Sequence, residues 1–373
     1  MPILRQRFPE TVAGWVEELD SGQSQRACFR ALFEARDILE ADGFRAPSFH
    51  DIVAGVRPQG PGDAEPGEWD HGWQFYTSDA RERTFRRSVV LPEADAAARS
   101  MLRSQSGKGA AAAFLAVPWD TARQVPPERF RAMLCRRLRH PILLAARKCE
   151  GCGCVLDAYG DHYAACMRTG RVQVRARPVE RAWLRVLREA GATTHFQKLL
   201  RETTLPTDPL DGRRIDILAT GLTVMHGRPL FCDATVRSPL RADGCPHGRA
   251  ADEDGFVLHR ALVDKLSAYG DVAGCQSAEL LVLAVEVGGR WNDTAITLVD
   301  VLAWAKVSDS PPLLRRSAHA AWAARWWSML GVSVQSALAA SILAPVAGTL
   351  CFDEQAVELP PSDDLLDGQR WAS

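Results

Sequence analysis

The sequence predicts a mixed α/β fold whose core spans residues 173–292, in the order helix, three strands, helix, strand. Three observations support this prediction. The segment 256–269 repeats its apolar residues with the period of a helix. The run ELLVLAVEV at 279–287 is typical of a buried strand. Three further short apolar runs, each bounded by polar or turn-forming residues, predict strands near 194–200, 214–220 and 229–236.

The first helix of this core is predicted from Pro178 to Ala190. Proline suits the first turn of a helix, where its missing N–H would have no partner, and Gly191 suits the position after the end. The flanking regions, 1–140 and 293–350, are predicted to be mostly helical, because their apolar residues recur with helical spacing.

Two segments are predicted to lie outside the regular elements. Residues 57–70 are rich in Pro and Gly and are expected to form a loop. Residues 351–373 carry six acidic residues against one arginine and are expected to be disordered. The uncharged stretch 326–352 is long enough to span a bilayer, but its polar residues and its alanine content favour a buried helix instead. We therefore expect no contact with a membrane.

Composition limits the class of protein. The 373 residues are 46% hydrophobic and 24% charged, which excludes a wholly disordered chain. The net charge is -1, so the overall charge of the chain does not indicate a nucleic-acid partner. The first ten residues lack the apolar core of a signal peptide, and we expect an intracellular protein.

Four residues in a short segment, 141–172, predict a zinc site. Cys149 and Cys152 form one close pair, and His162 and Cys166 form a second. Zinc prefers four such ligands in a tetrahedron, and a full set of protein ligands is typical of structural sites. Cys154 is a spare thiol that could replace Cys152. The alternative is a chance cluster of small buried cysteines.

The segment around this site is strongly basic. Between Arg129 and Arg188, fourteen basic residues stand against four acidic ones, a net charge of +10. Segregated positive charge favours contact with a phosphate backbone, and we expect Arg175, Arg177 and Arg181 to bind DNA. The alternative is a solvated arginine-rich surface in an arginine-rich protein.

Two aspartates lie within predicted strands, where aspartate is unfavourable. Asp216 follows Arg214-Ile215, and Asp233 lies in the next strand. Lys265 falls within the apolar stripe of the 256–269 helix, where a lysine must reach solvent or a carboxylate. The two acids could hold Mg²⁺ or Mn²⁺, and together with the lysine such a metal site could hydrolyse a phosphodiester. Alternatively, the aspartates cap turns at strand ends.

Residues from about 95 to 345 resemble the C-terminal region of non-LTR retrotransposon polyproteins. That region carries a CCHC zinc knuckle followed by a restriction-enzyme-like endonuclease of the PD-(D/E)XK superfamily. The four predicted zinc ligands and the string Tyr159-Gly-Asp-His162 are similar to this knuckle. The family's two acidic motifs look like Arg214-Ile-Asp216 and Asp233-Ala-Thr-Val. Its displaced lysine and the following tyrosine look like Lys265 and Tyr269. Glu180 is placed like the superfamily's acid on the first helix. No reverse-transcriptase motif accompanies these.

The resemblance implies a PD-(D/E)XK nuclease-like core that nicks DNA with Mg²⁺ or Mn²⁺, a structural Zn²⁺ and a nuclear location. Asp216, Asp233, Lys265 and Glu180 would be catalytic. Thr235 stands where the superfamily has its usual lysine, so activity would depend on Lys265. Two other hypotheses stay open: a zinc-dependent protein that binds DNA, or alternatively RNA, with an inactive nuclease core, and a purely structural helical scaffold.

Overall fold

The computed structural model describes residues 6–44, 47–54, 73–118, 120–142 and 148–344. The predicted loop 57–70 and the acidic tail 351–373 lie outside the described residues. The chain divides into two compact units, residues 1–95 and 96–373. Residues 96–140, grouped with the N-terminal region in the sequence analysis, therefore belong to the same unit as the Cys and His ligands and the strands.

The first unit is helical in its described part. Val12, Val16, Phe44 and Ala80 are its buried apolar residues. The carboxylate of Asp20 accepts hydrogen bonds from the first two N–H groups of a helix, as an N-terminal cap does. A π-helical turn, Arg86–Val90, leads into the short helical segment Leu91–Glu93. The other helices are α1 (Pro9–Asp20), α2 (Ala27–Ala41), α3 (Phe49–Ala54) and α4 (Trp73–Phe85).

The second unit holds a four-stranded mixed sheet in the order β1-β2-β3-β4. Strands β1, β2 and β3 pair antiparallel, and β4 lies parallel to β3. A parallel neighbour needs a crossover connection, which a helix supplies here. The strands are β1 (Thr193–Leu199), β2 (Arg214–Thr220), β3 (Leu230–Arg237) and β4 (Glu279–Glu286).

The predicted order of helix, three strands, helix and strand is confirmed. The nine α-helices in the described part of this unit are α5 (Ala96–Ser104), α6 (Ala112–Leu115), α7 (Pro127–Arg137), α8 (Asp161–Ala165), α9 (Arg171–Glu189), α10 (Phe256–Ala268), α11 (Gly270–Ala273), α12 (Asp293–Lys306) and α13 (Arg315–Leu343). Helix α9 opens the core and α10 is the crossover between β3 and β4.

The sheet separates two layers of helices because alternate residues of its strands point to opposite faces. In β4, Leu281 and Leu283 join a core shared with α9, α12 and α13, whereas Val282 packs on α10. Four tryptophans fill the larger core, and burial of a side chain of this size contributes about 4 kcal/mol before entropic losses. These are Trp183, Trp291, Trp326 and Trp327.

Helix α13 is long and apolar enough to cross a membrane by length and composition. However, 78% of its most apolar 18-residue window is buried inside the protein. It packs against α6, α7, α9 and α12. Its apolar character is therefore accounted for by contacts within the second unit, as expected for a core helix.

One predicted boundary is wrong. Helix α9 begins at Arg171, after Gly170 in the left-handed conformation, so Pro178 lies in the interior and not in the first turn. Interior proline costs a backbone hydrogen bond. The first two turns are nevertheless anchored from outside the helix, because the Arg171 and Arg175 guanidinium groups donate to the carbonyls of Ser341 and Tyr163. Gly191 follows the helix end at φ +102, as predicted.

Candidate functional site

The four predicted zinc ligands converge. Their ligand atoms all lie within 4.8 Å of one another, and in the described ranges they form the one such group of three or more Cys, His, Asp or Glu residues. The Sγ atoms of Cys149 and Cys166 are 4.0 Å apart. A tetrahedral zinc with bonds to sulfur of about 2.3 Å would separate two sulfurs by about 3.8 Å. The group can therefore hold a metal ion such as zinc.

Local turns bring the two pairs together. Gly153 has a φ of +74, a conformation that favours glycine, and lets the chain reverse after Cys152. Gly151 lies so close to the next loop that an added Cβ would come within 2.6 Å of the Arg168 carbonyl oxygen. The Asp157 carboxylate accepts the N–H groups of Tyr159, Asp161 and His162, which fixes the start of α8. Helix α8 presents His162 toward the cysteines.

The orientation of the His162 ring suits a metal ligand. Its Nδ1 lies 2.7 Å from the Ala242 carbonyl oxygen, which can only accept, so in the neutral ring Nδ1 carries the proton. Nε2 is then unprotonated and faces Cys152 Sγ at 3.3 Å. A second hydrogen bond of this kind is the usual support for a metal-bound histidine. Cys154 is exposed and lies outside the group.

The two strand aspartates lie on neighbouring strands. The β2–β3 register pairs Ile217 with Cys232, and the next positions along it are Asp216 and Asp233. Opposite residues of an antiparallel pair share a face of the sheet. Asp216 Oδ2 accepts a hydrogen bond of 2.9 Å from the Ala234 N–H, so its carboxylate lies against the backbone beside Asp233.

Lys265 reaches this pair from helix α10. Its Nζ lies 2.7 Å from Asp233 Oδ2, and the Asp233 side chain is 3% exposed. The other oxygen, Oδ1, is buried and has no hydrogen-bond partner among the described residues. Burying such an atom costs free energy unless something binds it. One turn on, the Tyr269 hydroxyl donates to the Arg214 carbonyl at 2.7 Å and ties α10 to β2.

Glu180 joins the site from helix α9 through a residue that the sequence analysis missed. The Gln197 amide Nε2 donates to Glu180 Oε2 at 2.9 Å and to Asp216 Oδ1 at 3.1 Å. Gln197 lies between two residues of β1 that pair with β2. Only the strand register places it opposite Asp216, so no sequence motif pointed to it.

The electrostatics show an excess of negative charge. Burial, followed by the charges of Asp233 and Glu180, raises the pKa of Asp216 to about 7. Burial also raises the pKa of Glu180. Three acids share one lysine, and a further positive charge would offset the repulsion among them. This acid site is defined here as Glu180, Asp216, Asp233 and Lys265.

The acid site is not a second convergent ligand group in the described part of the chain. Both Asp216 oxygens already accept hydrogen bonds, from Ala234 and Gln197, and Lys265 holds one oxygen of Asp233. Like charges repel, so carboxylates without a cation between them separate. The arrangement is that of an acidic cluster neutralised by internal donors.

The predicted DNA-binding arginines divide into two kinds. Arg177 and Arg181 are exposed, one turn apart on α9. Arg175 is only 4% exposed and donates to the Tyr163 carbonyl, so its prediction as a DNA contact is wrong. Burial, and then the nearby charges of Arg136 and Arg171, lower its pKa to about 10. Arg175 is instead a link between α9 and α8.

Comparison with known proteins adds no family to this description. No protein-family model matches the chain, and no curated protein matches it significantly.

Proposed function

We propose that the second unit is a divalent-metal-dependent DNA endonuclease with a PD-(D/E)XK-like core and a structural zinc knuckle, of retrotransposon origin and acting in the nucleus. The observation that carries this proposal is the contact between Lys265 and Asp233 beside Asp216. A lysine against two strand acids is the combination that metal-assisted phosphodiester hydrolysis uses. The mixed α/β order of elements and the sequence resemblance support it.

The chemistry of the donor set fits a divalent cation. Mg²⁺ and Mn²⁺ prefer carboxylate oxygens, and the unpartnered Oδ1 of Asp233 is a buried oxygen of that kind. Asp216 and Asp233 would hold the ion, and Glu180 would complete the shell. When bound, the ion would polarise the phosphodiester and lower the pKa of a water molecule.

The protein's own side chains would orient the water, stabilise the developing charge and contact the DNA. Lys265 keeps its ammonium group at the acids, where it would orient water and stabilise the charge that develops on phosphorus-bound oxygens. Tyr269 fixes the helix that carries Lys265. Arg177 and Arg181 are exposed on the helix that carries Glu180 and would contact the DNA backbone. The zinc ligands leave no open position, so that metal would be structural.

A nicking assay on supercoiled plasmid tests this function. The zinc-loaded chain should convert the plasmid to the open-circle form when Mg²⁺ or Mn²⁺ is present. In an EDTA-free buffer without either ion, the plasmid should stay supercoiled. Lys265→Met keeps the apolar stem and should abolish nicking, whereas Lys108→Met, at an exposed position outside the acid site and outside the basic segment 129–188, serves as the matched control. No nicking by the unmodified chain under any of these conditions would refute the proposal.

One observation favours a second candidate, a zinc-dependent nucleic-acid-binding protein with an inactive core. The oxygens of Asp216 are occupied by internal donors, as they would be if the site no longer bound a cation. This alternative predicts a salt-sensitive gel shift of DNA that depends on zinc, together with a plasmid that stays supercoiled. A gel shift with nicking excludes it, and a gel shift without nicking supports it.

A further inference from the structure

Gln197 has an unusual backbone conformation in the middle of strand β1. Its φ is +53, although its neighbours Phe196 and Lys198 pair regularly with β2. Residues other than glycine rarely adopt this left-handed backbone conformation, and they do so at a cost in free energy. Such strain persists where the surrounding structure requires one side-chain position. In Gln197 that position is between two carboxylates.

The side-chain amide of Gln197 donates both of its N–H groups to the acid site. One contact is to Glu180 Oε2 and the other to Asp216 Oδ1. These are oxygens that a divalent cation bound by the acids would need. A neutral amide cannot neutralise two carboxylates, although it donates to both of them. A cation bound by these acids would therefore compete with the amide N–H groups for the same two carboxylate oxygens.

We propose that Gln197 is a ligand of the divalent cation at the acid site, through its side-chain carbonyl oxygen. A half-turn about the terminal side-chain bond exchanges Nε2 and Oε1 without moving the backbone. Side-chain amide oxygens are accepted ligands of hard divalent cations. The amide then donates to the acids in the absence of the cation and contributes an oxygen in its presence. This inference rests on the proposed function.

Cation binding by the full zinc-loaded chain, measured by calorimetry with Mn²⁺ alone, tests the inference. Gln197→Met fills a similar volume but has no donor and only a weakly accepting sulfur. It should weaken Mn²⁺ binding about tenfold or more, as the loss of a metal-supporting group does. Gln197→Gly accepts a φ of +53 without strain and should weaken binding similarly while keeping the fold. Gln124→Ala, at an exposed position, is the control and should bind as the unmodified chain does.

Whether Mn²⁺ binding weakens or strengthens in these variants separates the possible roles of the Gln197 amide. If the amide only donates hydrogen bonds, removing it frees Glu180 and Asp216, and Mn²⁺ binding stays equal or strengthens in both variants. That result overturns the inference and leaves the proposed function standing. Asp216→Asn should abolish the binding. If the unmodified chain shows no binding that depends on Asp216, the cation site itself is refuted, and the inference falls with the proposed function. Zinc content and the thermal midpoint report whether each variant is folded.

Discussion

Replacement of Asp216 by asparagine should stabilise the cation-free protein at pH 8. Burial and two neighbouring acids raise the pKa of Asp216 to about 7 from its ordinary value of 3.8. A difference of this size corresponds to about 4 kcal/mol of lost stability once the group ionises in both states. Asparagine removes the charge and hence this cost. A stabilising substitution at a half-buried polar position is unusual.

Part of that gain is offset by hydrogen bonding. The asparagine oxygen can still accept from the Ala234 N–H, but its amide nitrogen faces Nε2 of Gln197, which is also a donor. Loss of a hydrogen bond to a charged acceptor costs about 2 kcal/mol. We therefore expect a net stabilisation of about 2 kcal/mol at pH 8.

The pH dependence follows from the direction of the pKa shift. Below about pH 4, Asp216 is protonated in both states and has no effect on stability. Between about pH 4 and pH 7, the unfolded chain releases a proton that the folded chain retains, so stability falls as pH rises. Above pH 7 the cost is constant. The advantage of Asp216→Asn should therefore be about 1 kcal/mol smaller at pH 6 than at pH 8.

Denaturant titrations of the zinc-loaded chain at pH 6 and pH 8, followed by tryptophan fluorescence, measure both quantities. Asp252→Asn, at an exposed carboxylate, should change neither. A destabilised Asp216→Asn protein whose stability difference does not vary with pH would show that Asp216 is a structural acceptor. The repulsion among the acids would then be smaller than the hydrogen bonds that hold them.

Three further outcomes are expected. Cys152→Ser should lower the zinc content of the purified chain below one ion, whereas Cys154→Ser should keep it, as elemental analysis would show. Replacing Arg177 and Arg181 together by alanine should reduce the salt slope of DNA binding by about 2, and an unchanged slope would contradict their role. Glu189→Gln should lower stability by about 2 kcal/mol in denaturant titrations, because it removes the buried partner of a guanidinium group. A loss below 0.5 kcal/mol would make that ion pair dispensable.

The strands were predictable because each is a short apolar run with clear ends. The run near 214–220 is observed as Arg214–Thr220, and the last as Glu279–Glu286. Lys265 was predictable too, because a lysine in an apolar stripe needs a partner, and Asp233 supplies it. Both inferences depend on the spacing of residues within one helix or strand, and that spacing can be read directly from the sequence.

The errors concern contacts between elements distant in sequence. Arg175 was predicted to be part of a basic surface, but its side chain is buried and donates to the Tyr163 carbonyl. Gln197 became visible only through the register of β1 on β2. Pro178 was misplaced because helix α9 extends toward anchors on α8 and α13. Local patterns carry no information about such partners, since each depends on how whole elements pack.

The zinc ligands and the acid site are joined more closely than their separation in sequence suggests. The sequence predicts that zinc removal loosens residues 145–175 more than the core. However, His162 donates to the Ala242 carbonyl in the loop that follows β3, the strand of Asp233. Cys149 and Cys166 lie in one apolar cluster with Leu240 of the same loop. Loss of zinc would free the His162 ring and expose that cluster, so the end of β3 should loosen together with the zinc ligands. Hydrogen exchange of β3 amides before and after zinc removal would measure this coupling, and unchanged protection would refute it.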